Sequence, residues 1–190
     1  MEPVIAKLAS GNEHKLRELR RVLDGWNVSL LGAAELPPEE GGTYYANARE
    51  KARFARSVAA PDAWVLGEDS GIEVDVLGGR PGVVSNRWAR PGEDHIEKLL
   101  AALRDVSDRE RGARYVSELV GLSPQAEELR GTGVLAGHIA AAPRGSEGFG
   151  YDPIFVPEGQ TQTVAELGND WKAKNSHRAR AARALLAQVP

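Results

Sequence analysis

Two adjacent carboxylates, Glu68 and Asp69, stand in the middle of the stretch Trp-Val-Leu-Gly-Glu-Asp-Ser-Gly-Ile-Glu-Val-Asp-Val that runs from Trp64 to Val76. Neighbouring acids repel, so a fold that keeps them close compensates with a cation or with hydrogen-bond donors. Carboxylate oxygens are hard ligands suited to Mg²⁺, and Mg²⁺ suits polyphosphates. A solvated acidic turn is the duller alternative for Glu-Asp-Ser-Gly. A second candidate is Ser10-Gly11-Asn12 with Lys15. A helix opening after that turn points free backbone N–H groups and its positive dipole end at the turn, which suits an anion. It is not a Walker A loop, since Gly-x-x-x-x-Gly-Lys-[Ser/Thr] is absent, and an ordinary N-cap beside a solvated lysine is the competing reading. Third, Phe149, Gly150, Tyr151 and Asp152 sit in a glycine-rich block between Pro143 and Pro153. An aromatic ring on such a loop is a stacking surface for a planar base, unless the rings tuck into the core.

The elements that must position these groups follow from hydrophobic periodicity. Val4 to Ala9 reads as a strand, and Leu16, Leu19, Val22 and Leu23 recur at helical spacing up to Gly25. Val28 to Leu31 offers a second strand, and Pro37 to Gly42 is loop. Thr43 reads as the cap of a helix with a small-residue face, Ala46 to Val58, which carries Asn47 and Lys51 one turn apart. Trp64 to Leu66 and Ile72 to Val76 read as two strands, with Glu68 and Asp69 between them. The loop Gly78 to Gly82 delivers Ser85, Arg87 and Trp88; that arginine suits phosphate, carboxylate or a plain surface pair. Ile96, Leu99, Leu100 and Leu103 mark a packing helix. Strands are predicted at Tyr115 to Leu122, Leu129 to Val134 and Gly137 to Ala142. Glu118 in the first needs a partner or an exposed face, and His138 reads as structural or surface. Trp171 to Val189 is mostly helical, with Lys172, His177 and Arg178 in its basic opening.

Composition narrows the classes. With 24 Lys plus Arg against 27 Asp plus Glu, the net charge of −3 argues against a nucleic-acid polymer as ligand. No cysteine is present, which removes disulfides, thiolate metal sites and cysteine nucleophiles. The amino-terminal stretch lacks the pattern of a signal peptide and no run suits a bilayer span, so a cytoplasmic protein with no membrane partner is expected.

Taken in order, Ser10-Gly11-Asn12 with Lys15 and Glu18, Glu68-Asp69-Ser70-Gly71, Leu77-Gly78-Gly79 with Pro81-Gly82, Phe149-Gly150-Tyr151-Asp152-Pro153 and Ser176-His177-Arg178 resemble the inosine triphosphate pyrophosphatase (Ham1) family. The matches span nearly the whole chain. The resemblance implies a two-lobed mixed α/β fold, a single domain over 1–190, with a long central mixed sheet, a cleft between lobes and a homodimer. It implies Mg²⁺-dependent hydrolysis of ITP, dITP or XTP, non-canonical purine nucleoside triphosphates, to the monophosphate and pyrophosphate. By the same resemblance Glu39 and Asp69 hold the metal, although the residues alone leave Glu39 and Glu40 both open. Asp69 matches the general base, with Glu68 able to share the work. Lys15, also placed in the catalytic set, and Lys51 hold the triphosphate; Phe149 stacks on the purine and Asp152, Lys172, His177 and Arg178 read its edge; Ser10, Gly11, Asn12, Ser70, Gly150, Tyr151 and Ser176 complete the substrate-binding set. Departures are Glu68 at a frequent Asp, Ala46 at a frequent Glu and Tyr44 at a usual Phe. Rival readings are a nucleotide-sequestering protein, a pyrophosphatase with another base preference, and a nucleic-acid module using the basic carboxyl-terminal helix.

Overall fold

The computed structural model describes residues 2–33 and 35–189; Met1, Ala34 and Pro190 lie outside the described residues. Six strands form one mixed sheet in the order β2-β1-β3-β4-β5-β6. These are β1 (Val4–Ala9), β2 (Trp26–Leu30), β3 (Trp64–Val74), β4 (Gly112–Leu122), β5 (Glu128–Ile139) and β6 (Phe155–Pro157). β1 runs parallel to β2 and β3, and the remaining neighbours are antiparallel. The helices are α1 (Glu13–Arg20), α2 (Tyr44–Val58), α3 (His95–Ala102), α4 (Val164–Asn175) and α5 (His177–Leu186). This is the mixed α/β architecture with a long central sheet that the motifs imply. No helix among the described residues is long and apolar enough to cross a membrane.

The long strands connect two core regions. At one end Ile72, Val74, Leu99, Leu103, Tyr115, Ile139 and Phe155 pack together. At the other, Leu8, Leu19, Leu66, Leu119 and Leu185 form a core on one face of the sheet, and Ala48, Ala52, Val65 and Val120 form one on the other. The polar middle of β3, Glu68 to Ser70, falls between them. β1 ends at Ala9, opposite Gly67, whereas β3 continues to Val74. The edge of β3 beyond Gly67 is therefore uncovered by β1, and the carboxyl end of a parallel strand opens there, the usual place for a ligand in such sheets.

Several sequence expectations need correction. Glu68 and Asp69 are not in a turn between two strands: β3 is continuous, and Gly67 does not end it. A Cβ on Gly67 would lie 2.0 Å from the backbone oxygen of Ala48, so the glycine is there to let α2 press against the strand. The expected strands at Leu129–Val134 and Gly137–Ala142 are likewise one strand, β5. Gly131 and Gly133 bring the backbone of α5 onto it, with virtual Cβ atoms 1.9 Å from the oxygens of Ala181 and His177. The carboxyl-terminal helical segment starts earlier than Trp171 and breaks at Ser176 into α4 and α5. The short strand β6 was not signalled by periodicity. Thr43 caps α2 through its side chain, as read, and Asn12 caps α1, which was the competing reading of that turn.

The close approach of α2 to β3 makes Gly67 sensitive. Gly67→Ala should cost about 3 kcal/mol, the upper end of overpacking penalties, measured by equilibrium unfolding in urea. An unchanged midpoint would contradict the described contact.

Candidate active site

Alternation along β3 separates the two adjacent carboxylates. Asp69 faces α2, where Asn47 Nδ2 donates to its Oδ2 at 2.8 Å and Lys51 Nζ lies 3.6 Å from its Oδ1. Glu68 faces α1 and α5 on the opposite side, with Lys15 Nζ at 2.7 Å, Arg178 Nε at 3.1 Å and Ser117 Oγ donating at 2.9 Å. Glu68 is fully buried and does not line the cleft. Burial opposes its charge, but Arg178 and Lys15 outweigh it and hold the carboxyl far below the ordinary glutamate range. Asp69 is shifted the other way: burial, with Glu39 and Glu68 adding repulsion, exceeds the pull of Lys51 and Asn47. Of the pair, Asp69 is the one that lines the cleft.

The cleft has a volume of about 830 Å³, within the range of small-molecule sites. Its wall includes Ser10, Gly11, Asn12, Lys15, Glu39, Lys51, Asp69 and Ser70. Phe149, Gly150, Tyr151, Asp152, Lys172, His177 and Arg178 line it too. Ser176 does not: it is buried, and its hydroxyl accepts from Ala179 N as the cap of α5. It thereby fixes the helix turn that carries His177 and Arg178. Tyr151 is largely core, its hydroxyl donating to the Ser85 carbonyl at 3.0 Å, so Phe149 is the half-buried ring left for stacking.

Lys172 and Arg178 line the far end of the cleft, and Glu18 stands behind them. Glu18 takes Lys172 Nζ at 2.5 Å and Arg178 Nη1 at 2.6 Å. Burial would raise its pKa, yet these two cations bring it down to about 2. Lys172 also lies 2.6 Å from Asp152 Oδ2, and Arg178 Nη2 donates to Ser70 Oγ at 2.8 Å. Both cations sit by the ring of Phe149, at 4.7 Å and 5.6 Å from its centroid. His177 stacks on Tyr115 at 4.5 Å, and burial followed by Arg178 lowers its pKa to about 3, which keeps it neutral near pH 7. Ser117, Tyr115 and His95 were not among the sequence-read site residues. Their sequence context is ordinary strand and helix, with no local signal. Glu18, by contrast, belongs to the first matched motif and lies three residues after Lys15, on the same helix face.

Glu39 and Asp69 converge on the single ammonium of Lys51, and Glu39 also pairs with Arg87. Glu40 is exposed and outside the cleft wall. Among the described residues no group of three or more His, Cys, Asp or Glu is placed to hold a metal ion by itself. Two hard carboxylates sharing one cation fit Mg²⁺, which keeps several waters and takes other oxygens from a bound phosphate.

A family model for the Ham1 family matches residues 6–188. A dITP/XTP pyrophosphatase of Bdellovibrio bacteriovorus is 42% identical, with 96% of each chain covered. One from Mycobacterium tuberculosis is 46% identical, covering 94% of this chain and 92% of the relative. Among solved structures, a HAM1 protein from Coxiella burnetii superposes with a TM-score of 0.83 at 32% identity, covering 98% of this chain and all of that one. The Staphylococcus aureus Ham1 protein gives 0.82 at 32% identity, with 96% of each chain covered. With sequence and fold both matched over nearly its full length, the chain belongs to the Ham1 family.

Proposed function

We propose that this protein hydrolyses deaminated purine nucleoside triphosphates, dITP, ITP and XTP, to the monophosphate and pyrophosphate. The observation that carries this reading is one cleft holding two chemically distinct ends. One end combines Ser10-Gly11-Asn12, Lys15, Lys51, Glu39 and Asp69; the other combines Phe149, Asp152, Lys172, His177 and Arg178. The relatives named dITP/XTP pyrophosphatase support the same reaction.

The opening of α1 and Lys51 receive phosphate oxygens. Asp69 accepts the proton of the water that attacks the α-phosphorus, while Asn47 fixes its orientation through the other oxygen. Asp69 and Glu39 would hold Mg²⁺, which when bound would neutralise charge on the phosphates. Glu68 holds Lys15 and Arg178 in place from behind the wall. At the base end, Lys172 and Arg178 are held by carboxylates yet keep N–H groups in excess of their contacts. Hypoxanthine and xanthine offer a 6-oxo acceptor to such donors. Adenine offers a 6-amino donor and leaves them unpaired, a mismatch that discriminates strongly. The family resemblance also carries a homodimer, which light scattering tests as twice the 20.4 kDa chain.

Released pyrophosphate is the direct readout. With Mg²⁺, dITP and XTP should yield pyrophosphate with little from ATP, and Asp69→Asn should lower the rate on the order of 10²-fold or more. Orthophosphate as the first product, or equal turnover of ATP, would contradict the reading. Glu18 gives a second test. Its stabilising charge is fully present above its unfolded value and is lost as pH falls through its folded one. Glu18→Gln should therefore destabilise at pH 7, and the gap from wild type should close as pH falls from 4.5 toward about 2. A gap independent of pH would exclude the ionic role.

A further inference from the structure

The phosphate end of the cleft contains a row of alternating charge that runs outward from Asp69. Asp69 lies 3.6 Å from Lys51, Lys51 bonds Glu39 Oε1, and Glu39 Oε2 accepts from Arg87 Nη1 at 2.9 Å. Side-chain exposure rises along that row, from 4% at Asp69 and 7% at Lys51 to 22% at Glu39 and 48% at Arg87. The row thus leads from the interior to the cleft mouth. The base-receiving groups lie the other way from Asp69, through Ser70 and Arg178 to Lys172 and Phe149.

This order constrains where a triphosphate can lie. With the base at Phe149 and the α-phosphorus at Asp69, the β- and γ-phosphates extend past Lys51 toward Glu39 and Arg87. At this end Lys15, Lys51 and Arg87 are already matched by Glu68, Asp69 and Glu39. A polyphosphate must therefore use donors that these pairs leave open or draw a cation away from a carboxylate. Lys15 and Lys51 are largely enclosed, whereas Arg87 is half exposed. Arg87 uses one N–H on Glu39 Oε2 and one on the Glu39 carbonyl at 2.6 Å, which leaves three of its five donors open. Its planar fork suits two phosphate oxygens better than an ammonium does.

We infer that Arg87 binds the terminal phosphates of the substrate, and hence the pyrophosphate leaving group, and that Glu39 holds it ready in the free protein. The inference rests on the proposed triphosphate hydrolysis. Arg87 is the last residue of a 3-10 segment, Gly82–Arg87, which lines the cleft together with the opening of α1. The open donors of the guanidinium receive the phosphate oxygens, beside Glu39 or in its place.

Calorimetric titration of inorganic pyrophosphate and of inosine monophosphate, at fixed Mg²⁺, tests this on wild type, Arg87→Ala, Arg87→Lys and Arg90→Ala. Arg90 is exposed on the same loop and outside the cleft wall, so it reports any general effect of lost charge. Arg87→Ala should weaken pyrophosphate by about ten- to a hundredfold, as for loss of a charged hydrogen-bond pair. Inosine monophosphate should be unaffected, Arg87→Lys should recover part of the loss, and Arg90→Ala should match wild type. Unchanged pyrophosphate affinity in Arg87→Ala overturns the inference. So does a parallel loss of monophosphate affinity, which would mark Arg87 as a mere anchor for the Glu39 loop, or an equal loss in Arg90→Ala. If wild type hydrolyses no triphosphate yet loses pyrophosphate on Arg87→Ala, the proposed reaction fails while the Arg87 contact stands.

Discussion

Successive side chains on a strand point to opposite faces, and the site depends on that constraint acting at Glu68 and Asp69. Two carboxylates side by side in sequence would compete for the same cation if they shared a face. On β3 they are divided between two sets of helices. Glu68 goes to α1 and α5, where Lys15 and Arg178 meet it, and Asp69 goes to α2, where Asn47 and Lys51 do. Three helices distant in sequence are thereby tied to one polar stretch of strand, and the cleft forms at the end of β1 where that strand stops covering it.

The charges at the base end form a second continuous chain: Asp152, Lys172, Glu18, Arg178 and Glu68 alternate in sign and are all in contact. Buried ion pairs are seldom a net source of stability, because desolvation offsets the attraction. Their value here is placement. Arg178 is 2% exposed and held on three sides by Glu68, Glu18 and Ser70. A guanidinium fixed before the ligand arrives costs little ordering on binding, and its unused donors point to the same place in every copy of the protein. His177, neutral and stacked on Tyr115, adds a flat wall without adding charge.

How much of this was legible in the sequence follows from range. Local signals were readable: the caps Asn12 and Thr43, the apolar stripes of α1 and α2, and the glycine-rich segment bearing Phe149. The reading failed where tertiary partners override a local pattern. Glu68, Asp69 and Ser70 put polar groups on both faces, which broke the alternation and suggested a turn. In the fold those groups are accommodated by Lys15, Lys51 and Arg178, none of them nearby in sequence. Gly67 reads as a break for the same reason, since a close helix backbone is invisible to periodicity. The ordered motifs still brought most of the cleft wall together. Ser176 and Glu68 differ, because a motif marks which residues matter and not whether they face the ligand or support those that do.

The division of labour between the adjacent acids is tested most directly by comparing the equilibrium unfolding of Glu68→Gln and Asp69→Asn at pH 7. Glu68→Gln strips the counter-charge from Lys15 and Arg178 and should cost about 3 kcal/mol or more, as for a broken buried pair. Asp69→Asn removes a charge that has only a shared lysine opposite it and two carboxylates nearby, so stability should hold or rise. Equal losses in both variants would contradict the assignment of one carboxylate to support and the other to chemistry.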